Sequence, residues 1–186
     1  ARRVPRVRSG RLDPRRRISR ETARFLTDRE PLSAVPIDRL LFLDTETTGL
    51  AGGTGTLAFL VGVGWYEGDG FVVEQAFLEG PHQEAALLDL IEGWIERSEA
   101  TVSFNGRAFD LPLLETRFRL LRRQPPWLEQ PALDLLPASR RLWTDCFSDC
   151  RLATLEEQVL GSIREGDVPG SLIPALYFRY LRRQDA

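Results

Sequence analysis

The sequence predicts an α/β fold built on a mixed five-stranded sheet, three antiparallel strands followed by two parallel ones, flanked by helices. Two observations carry this expectation. Leu40–Leu43 is an apolar run without polar alternation, the mark of a strand covered on both faces. From residue 80 onward, apolar residues at helical spacing alternate with short apolar strands.

The first strand is expected over Arg39–Asp44, the second over Leu57–Tyr66 and the third over Phe71–Leu78, with Gly68-Asp69-Gly70 as the turn between the last two. Gly80-Pro81 opens a helix whose Leu87, Leu90, Ile91, Trp94 and Ile95 recur on one face. Thr101–Phe104 reads as a fourth strand. A helix then runs from Leu111 to about Leu121, with Leu114, Phe118 and Leu121 on a stripe, and Pro125-Pro126 ends it. Ala132–Leu135 is the fifth strand, followed by a short helix through Leu142. Leu152–Leu160 is a helix stopped by Gly161. Ser171 is expected to cap the last helix, which carries Leu172, Leu176, Tyr177, Tyr180 and Leu181. The order, three strands, helix, strand, helix, strand, helices, is that of a ribonuclease-H-like core.

At 186 residues, 42% hydrophobic and 28% charged, the chain is long enough to bury a core and has the profile of a soluble globular domain. No apolar run approaches the roughly 20 residues that span a bilayer, and no secretory signal is visible. Cys146, Cys150 and the single His82 are too few for a four-ligand zinc site, so a reduced, cytoplasmic protein is expected. The two thiols are expected to be free and in the core. Trp65, Trp94, Trp127 and Trp143 are expected to pack rather than stack on bases. All 25 basic residues are arginine; there is no methionine either, so the chain reads as a fragment or as trimmed at its beginning. Residues 1–20 hold nine arginines against the single acid Asp13, while the remainder is acidic. Residues 1–36 therefore read as an arginine-rich arm with a possible short helix, and residues 37–186 as the compact domain. Such an arm either contacts nucleic acid, by neutralising phosphates, or is a solvated, partly disordered leader.

Asp44 and Glu46 are the sharpest chemical feature. Residues two apart on a strand share a face, so the two carboxylates lie side by side while Thr45 points away. Two like charges about 4 Å apart repel by roughly 4 kcal/mol at an effective dielectric of 20. A divalent cation removes that penalty, and hard oxygen donors favour Mg2+ or Mn2+ over zinc. Asp110 stands at a helix start after Asn105-Gly106 and Phe109, where capping and turn chemistry are the plainer readings.

Taken together, L-F-L-D-T-E-T-T-G-L at 41–50 and Asn105-Gly106 with Phe109-Asp110 resemble the first and second motifs of the DEDD 3′→5′ exonucleases. The chain also resembles the bacterial YprB-like ribonuclease-H-like domains. The shared segments are G-G-T-G-T at 52–56, A-F-L-V-G-V-G at 58–64, D-C-R-L-A-T-L-E at 149–156, D-V-P-G-S at 167–171 and L-Y-F-R-Y-L at 176–181. The resemblance covers roughly residues 35–186. It implies a nuclease that removes nucleotides from the 3′ end of DNA or RNA with two metal ions. Asp44, Glu46 and Asp110 would be the catalytic and metal-binding carboxylates, with Asp44 bridging the ions. Thr45, Thr48, Leu50, Asn105 and Phe109 would meet the substrate end, and Arg107 is a candidate phosphate contact. The implied partners are single-stranded DNA or RNA ends and, by family association, a helicase, in repair or in RNA turnover.

Such nucleases use a fourth carboxylate on a late helix, after a tyrosine or histidine. It is not found here. Asp185 lies at the wrong spacing from Tyr180, Asp167 lies in a turn, and Asp134, at a strand end, reads as a cap that could also line the cleft. The expectation is that the catalytic helix follows residue 186. Two other readings remain open: a catalytically incomplete nucleic-acid-binding or scaffolding module, and a ribonuclease-H-like nuclease acting inside hybrids or at junctions.

Overall fold

The computed structural model describes residues 2–8, 17–26, 35–49, 54–128 and 130–184. Among these residues six strands form one sheet: β1 (Arg2–Arg8), β2 (Leu40–Thr47), β3 (Ala58–Glu67), β4 (Gly70–Phe77), β5 (Ala100–Ser103) and β6 (Ala132–Asp134). Their spatial order is β1-β4-β3-β2-β5-β6. The expected five-stranded mixed sheet is present. β2, β3 and β4 form an antiparallel meander, and β5 and β6 add in parallel. The sixth strand comes from the arginine-rich segment, which pairs antiparallel with β4 at the outer edge. Unpaired edges recruit added strands.

Among the described residues six α-helices accompany the sheet: α1 (Arg20–Leu26), α2 (Glu84–Ile95), α3 (Asp110–Leu120), α4 (Leu135–Trp143), α5 (Leu152–Leu160) and α6 (Ile173–Gln184). Side-chain alternation along β2 divides the interior in two. Leu41 and Leu43 join a core with Leu88 and Ile91 of α2, Leu114 and Phe118 of α3, and Tyr177 of α6. Leu40 faces the other way, into a smaller core with Ala23 of α1, Val35, Val102 and Leu133, with Phe42 packed against it. Tyr177 stacks on Phe59 with ring centroids 4.0 Å apart, fixing α6 against β3.

Several details differ from the sequence expectations. β2 runs on through Thr47, so the D-T-E-T segment is strand and pairs with β3. The last helix opens at Ile173 rather than at a Ser171 cap; Gly170–Leu172 is a single 3-10 turn. Pro174, which lacks an N–H, suits the first turn of α6. Leu90, placed on the buried stripe of α2, is 39% exposed, and Leu121, placed on the stripe of α3, is also exposed. Cys146 is exposed and Cys150 half-buried in the turn after α4, so the thiols are free but outside the core. Trp94 and Trp127 are buried, as packing anchors should be. Among the described residues no helix is long and apolar enough to cross a membrane.

Candidate active site

The site forms at the end of β2, where the strand leaves the sheet. The register of β2 against β3 shifts between Glu46 and Thr47. Such bulges re-aim side chains at sheet rims. Beyond it the Thr47 hydroxyl donates to the Gly49 carbonyl at 2.8 Å, and the Thr48 hydroxyl accepts from the Leu57 N–H at 2.9 Å. These bonds close the neck of the loop between β2 and β3. By alternation, Asp44 and Glu46 continue the face of Leu40 and Phe42. Thr45 continues the face of Leu41 and Leu43, against which α3 packs. Asp110, the first residue of α3, therefore meets the Thr45 hydroxyl, which donates to its Oδ1.

The turn before α3 is held from below. Asp134 ends β6 and is 6% exposed. Its Oδ1 accepts the N–H of Asn105 at 2.7 Å and that of Leu136 at 3.0 Å, and its Oδ2 accepts the N–H of Arg107 at 3.2 Å. One carboxylate thus caps α4 and pins the Asn105–Arg107 turn. Asn105 adopts φ 66°, a left-handed conformation that asparagine tolerates. At Gly106 an added Cβ would lie 2.4 Å from Ser103 Oγ and 3.2 Å from Asp110 Oδ2, so only glycine lets the turn lie this close to the sheet.

Asp44, Thr45, Glu46, Asn105, Phe109 and Asp110 line one cleft of about 550 Å³, together with Thr56, Leu113, Thr116 and Pro174. Burial, then the charge of Asp110, raises the Asp44 carboxyl above its ordinary range, opposed by the Thr45 backbone N–H and by Arg164. Asp44 reaches solvent through the open side of the cleft; the protein around its other sides supplies the desolvation. Glu46 is raised by burial and by Asp44, Asp110 and Asp167 in turn. Asp110, 9% exposed, is raised by burial against the hydrogen bond from Thr45. Three carboxylates that each resist ionisation suit a cation. The donor chemistry, hard oxygens with no histidine or thiolate, fits Mg2+ or Mn2+. Among the described residues, however, no three acids, histidines or cysteines stand close enough to cage an ion.

The other predicted residues fall as follows. Phe109 is 54% exposed on the cleft, a large apolar ring that the core does not use. Thr48 and Arg107 are not among the cleft-lining residues, and the backbone N–H of Arg107 serves Asp134. Leu50 and Asp185 lie outside the described residues. Asp167 is exposed and accepts from Arg164 at 3.1 Å, while Arg164 also holds Glu156. Thr56, Thr116 and Pro174 were not anticipated; only the fold brings them to the cleft.

A strand-end carboxylate pair, a third carboxylate at a helix start and a mixed sheet of this order define the ribonuclease-H-like class. The chain belongs to the RNase_H superfamily, whose family profile matches residues 41–186. It is 40% identical over 149 residues to the uncharacterized protein YprB of Bacillus subtilis (strain 168), covering 80% of this chain and 36% of the relative. The chain thus spans about a third of the curated relative's length. Among solved structures, E. coli Exonuclease I in complex with a 5cy-dA13 oligonucleotide matches with TM-score 0.53 and 16% identity, covering 78% of this chain and 40% of that one. The family B DNA polymerase of Pyrobaculum calidifontis matches with TM-score 0.53 and 18% identity, covering 80% and 22%. At these identities the structural likeness shows the fold.

Proposed function

We propose that the cleft is the catalytic site of a metal-dependent exonuclease that hydrolyses the terminal phosphodiester at the 3′ end of DNA or RNA. The observation that carries this reading is the convergence of Asp44, Glu46 and Asp110 on one cleft, each carboxyl raised by burial and by neighbouring acids. Asp44, Glu46 and Asp110 would hold Mg2+ or Mn2+, two ions in the full site, which would activate water and stabilise the leaving oxygen. The chain's own part is position. Phe109 offers a face for the terminal base, as exposed aromatics do for single strands. Asn105 and Thr45 border the terminal nucleotide. Asp134 holds the Asn105–Arg107 turn rigid, so Asp110 need not reorganise during reaction. A helicase partner and the cytoplasm of a bacterium complete the proposal.

A second reading is favoured by one observation: no three candidate ligands among the described residues form a cage. In that reading the domain binds nucleic acid without cutting it. The test is cleavage of a 5′-labelled single-stranded DNA and of its RNA counterpart with Mn2+, against Asp44→Ala. A descending ladder lost in the variant supports the exonuclease. Single-step internal fragments would indicate an endonuclease, and metal-dependent binding without cleavage the binding module.

A further inference from the structure

Arg117 is 8% exposed and lies two turns into α3 from Asp110. Its guanidinium does not face the cleft. Nε and Nη2 donate to the two carboxylate oxygens of Glu84, the first residue of α2, the latter at 2.7 Å. Nη1 donates to the carbonyl of Thr54 at 2.5 Å. Thr54 belongs to the loop between β2 and β3. That loop is closed at its neck by reciprocal bonds between Thr48 and Leu57, both 2.9 Å, and it contributes Gly49 and Thr56 to one wall of the cleft. Phe109, Leu113 and Thr116, on or beside α3, line the cleft from the helix side. A buried arginine with its fork spent on Glu84 is unavailable to phosphate. What it joins is one wall of the cleft to the other.

We propose that Arg117 is a positioning residue that sets the separation of the two cleft walls, and so the fit of a nucleic-acid strand end, by tethering the Thr54 carbonyl to α3. The inference rests on the nuclease reading of this cleft. Glu84 orients the guanidinium so that the third donor points at the loop, as bidentate pairing fixes a planar fork. The packing of α2 against α3 does not depend on this link. Arg123 of the segment after α3 separately pairs with Asp89 at 2.8 Å and with Glu92, both on α2. Loss of the tether therefore frees the loop and leaves the helix pair joined.

Arg117→Lys keeps a cation for Glu84 but cannot serve both Glu84 oxygens and Thr54 at once. In the full chain, amide hydrogen exchange at Leu57, whose N–H donates to the Thr48 hydroxyl at 2.9 Å, should accelerate about tenfold, the worth of one net hydrogen bond, while α2 and α3 stay within about twofold of wild type. With a 5′-labelled oligonucleotide and Mn2+, KM should rise about tenfold and kcat change by less than about twofold, the pattern of lost binding rather than lost chemistry. Glu84→Gln should shift both readouts in the same direction by less, and serves if the lysine variant does not fold. Unchanged exchange at Leu57, or a fall in kcat at constant KM, overturns the proposal. Wild type that fails to cut refutes the nuclease reading, whereas the exchange arm, which needs no activity, still supports or overturns the tether.

Discussion

Replacing Asp134 by alanine removes the acceptor of three backbone N–H groups at once: Asn105 at 2.7 Å, Leu136 at 3.0 Å and Arg107 at 3.2 Å. A hydrogen bond to a charged group is worth about 1.5–3 kcal/mol and an N-cap about 1 kcal/mol. Leu136 N–H is buried and stays unsatisfied, while water can reach the half-buried Asn105 and the exposed Arg107, so the total is about 4 kcal/mol. At about 2–4 °C per kcal/mol for a chain of this size, the melting temperature should fall by about 8–16 °C. Asp134→Asn keeps one oxygen for Asn105 and Leu136 but turns an NH2 toward the Arg107 N–H, and should cost about half as much. Thermal unfolding followed by circular dichroism measures both. An alanine variant melting within about 3 °C of wild type would refute the view that this carboxylate fastens the turn before Asp110.

Two further outcomes are expected. The folded-state pKa values of Asp44, Glu46 and Asp110 lie above their ordinary ones, so the folded protein binds more protons than the unfolded chain as these groups titrate, and their ionisation at neutral pH opposes folding. Their contribution to metal-free stability should therefore grow as pH falls from 7 through the raised titrations and level off near about pH 4. The difference in urea midpoint between wild type and an Asp44→Asn/Glu46→Gln variant, read from pH 7 to 5, isolates it; a pH-independent difference contradicts the assignment. Gly106→Ala would place a methyl 2.5 Å from Ser103 Cβ, and overpacking of this kind costs about 1–3 kcal/mol. Ser103→Gly in the same chain should recover part of that loss in melting temperature, whereas Gly106→Ala alone melting like wild type would show that the turn can move.

Most of the sheet was legible because strands covered on both faces leave uninterrupted apolar runs, as Leu40–Leu43 and Ala58–Val63 do. The pair Asp44 and Glu46 was legible for a related reason: period-two alternation puts both carboxylates on one side without knowledge of any partner. Asp110 could be placed at a helix start, but its local signal equals that of an ordinary cap. What it meets was decided by α3 packing on the Thr45 side of β2, a contact between residues 65 apart. Asp134 was recognisable as a cap; that its second oxygen also holds Arg107 depended on β6 lying beside β5. The sequence by itself determined the element order from β2 onward and the chemistry available at the end of β2, because local periodicity and residue type are enough for both. Only the tertiary structure decided which acids share a cleft, which of them positions the others, and that Arg117 is spent inside the protein, because burial and long-range hydrogen bonds have no local signature in the chain.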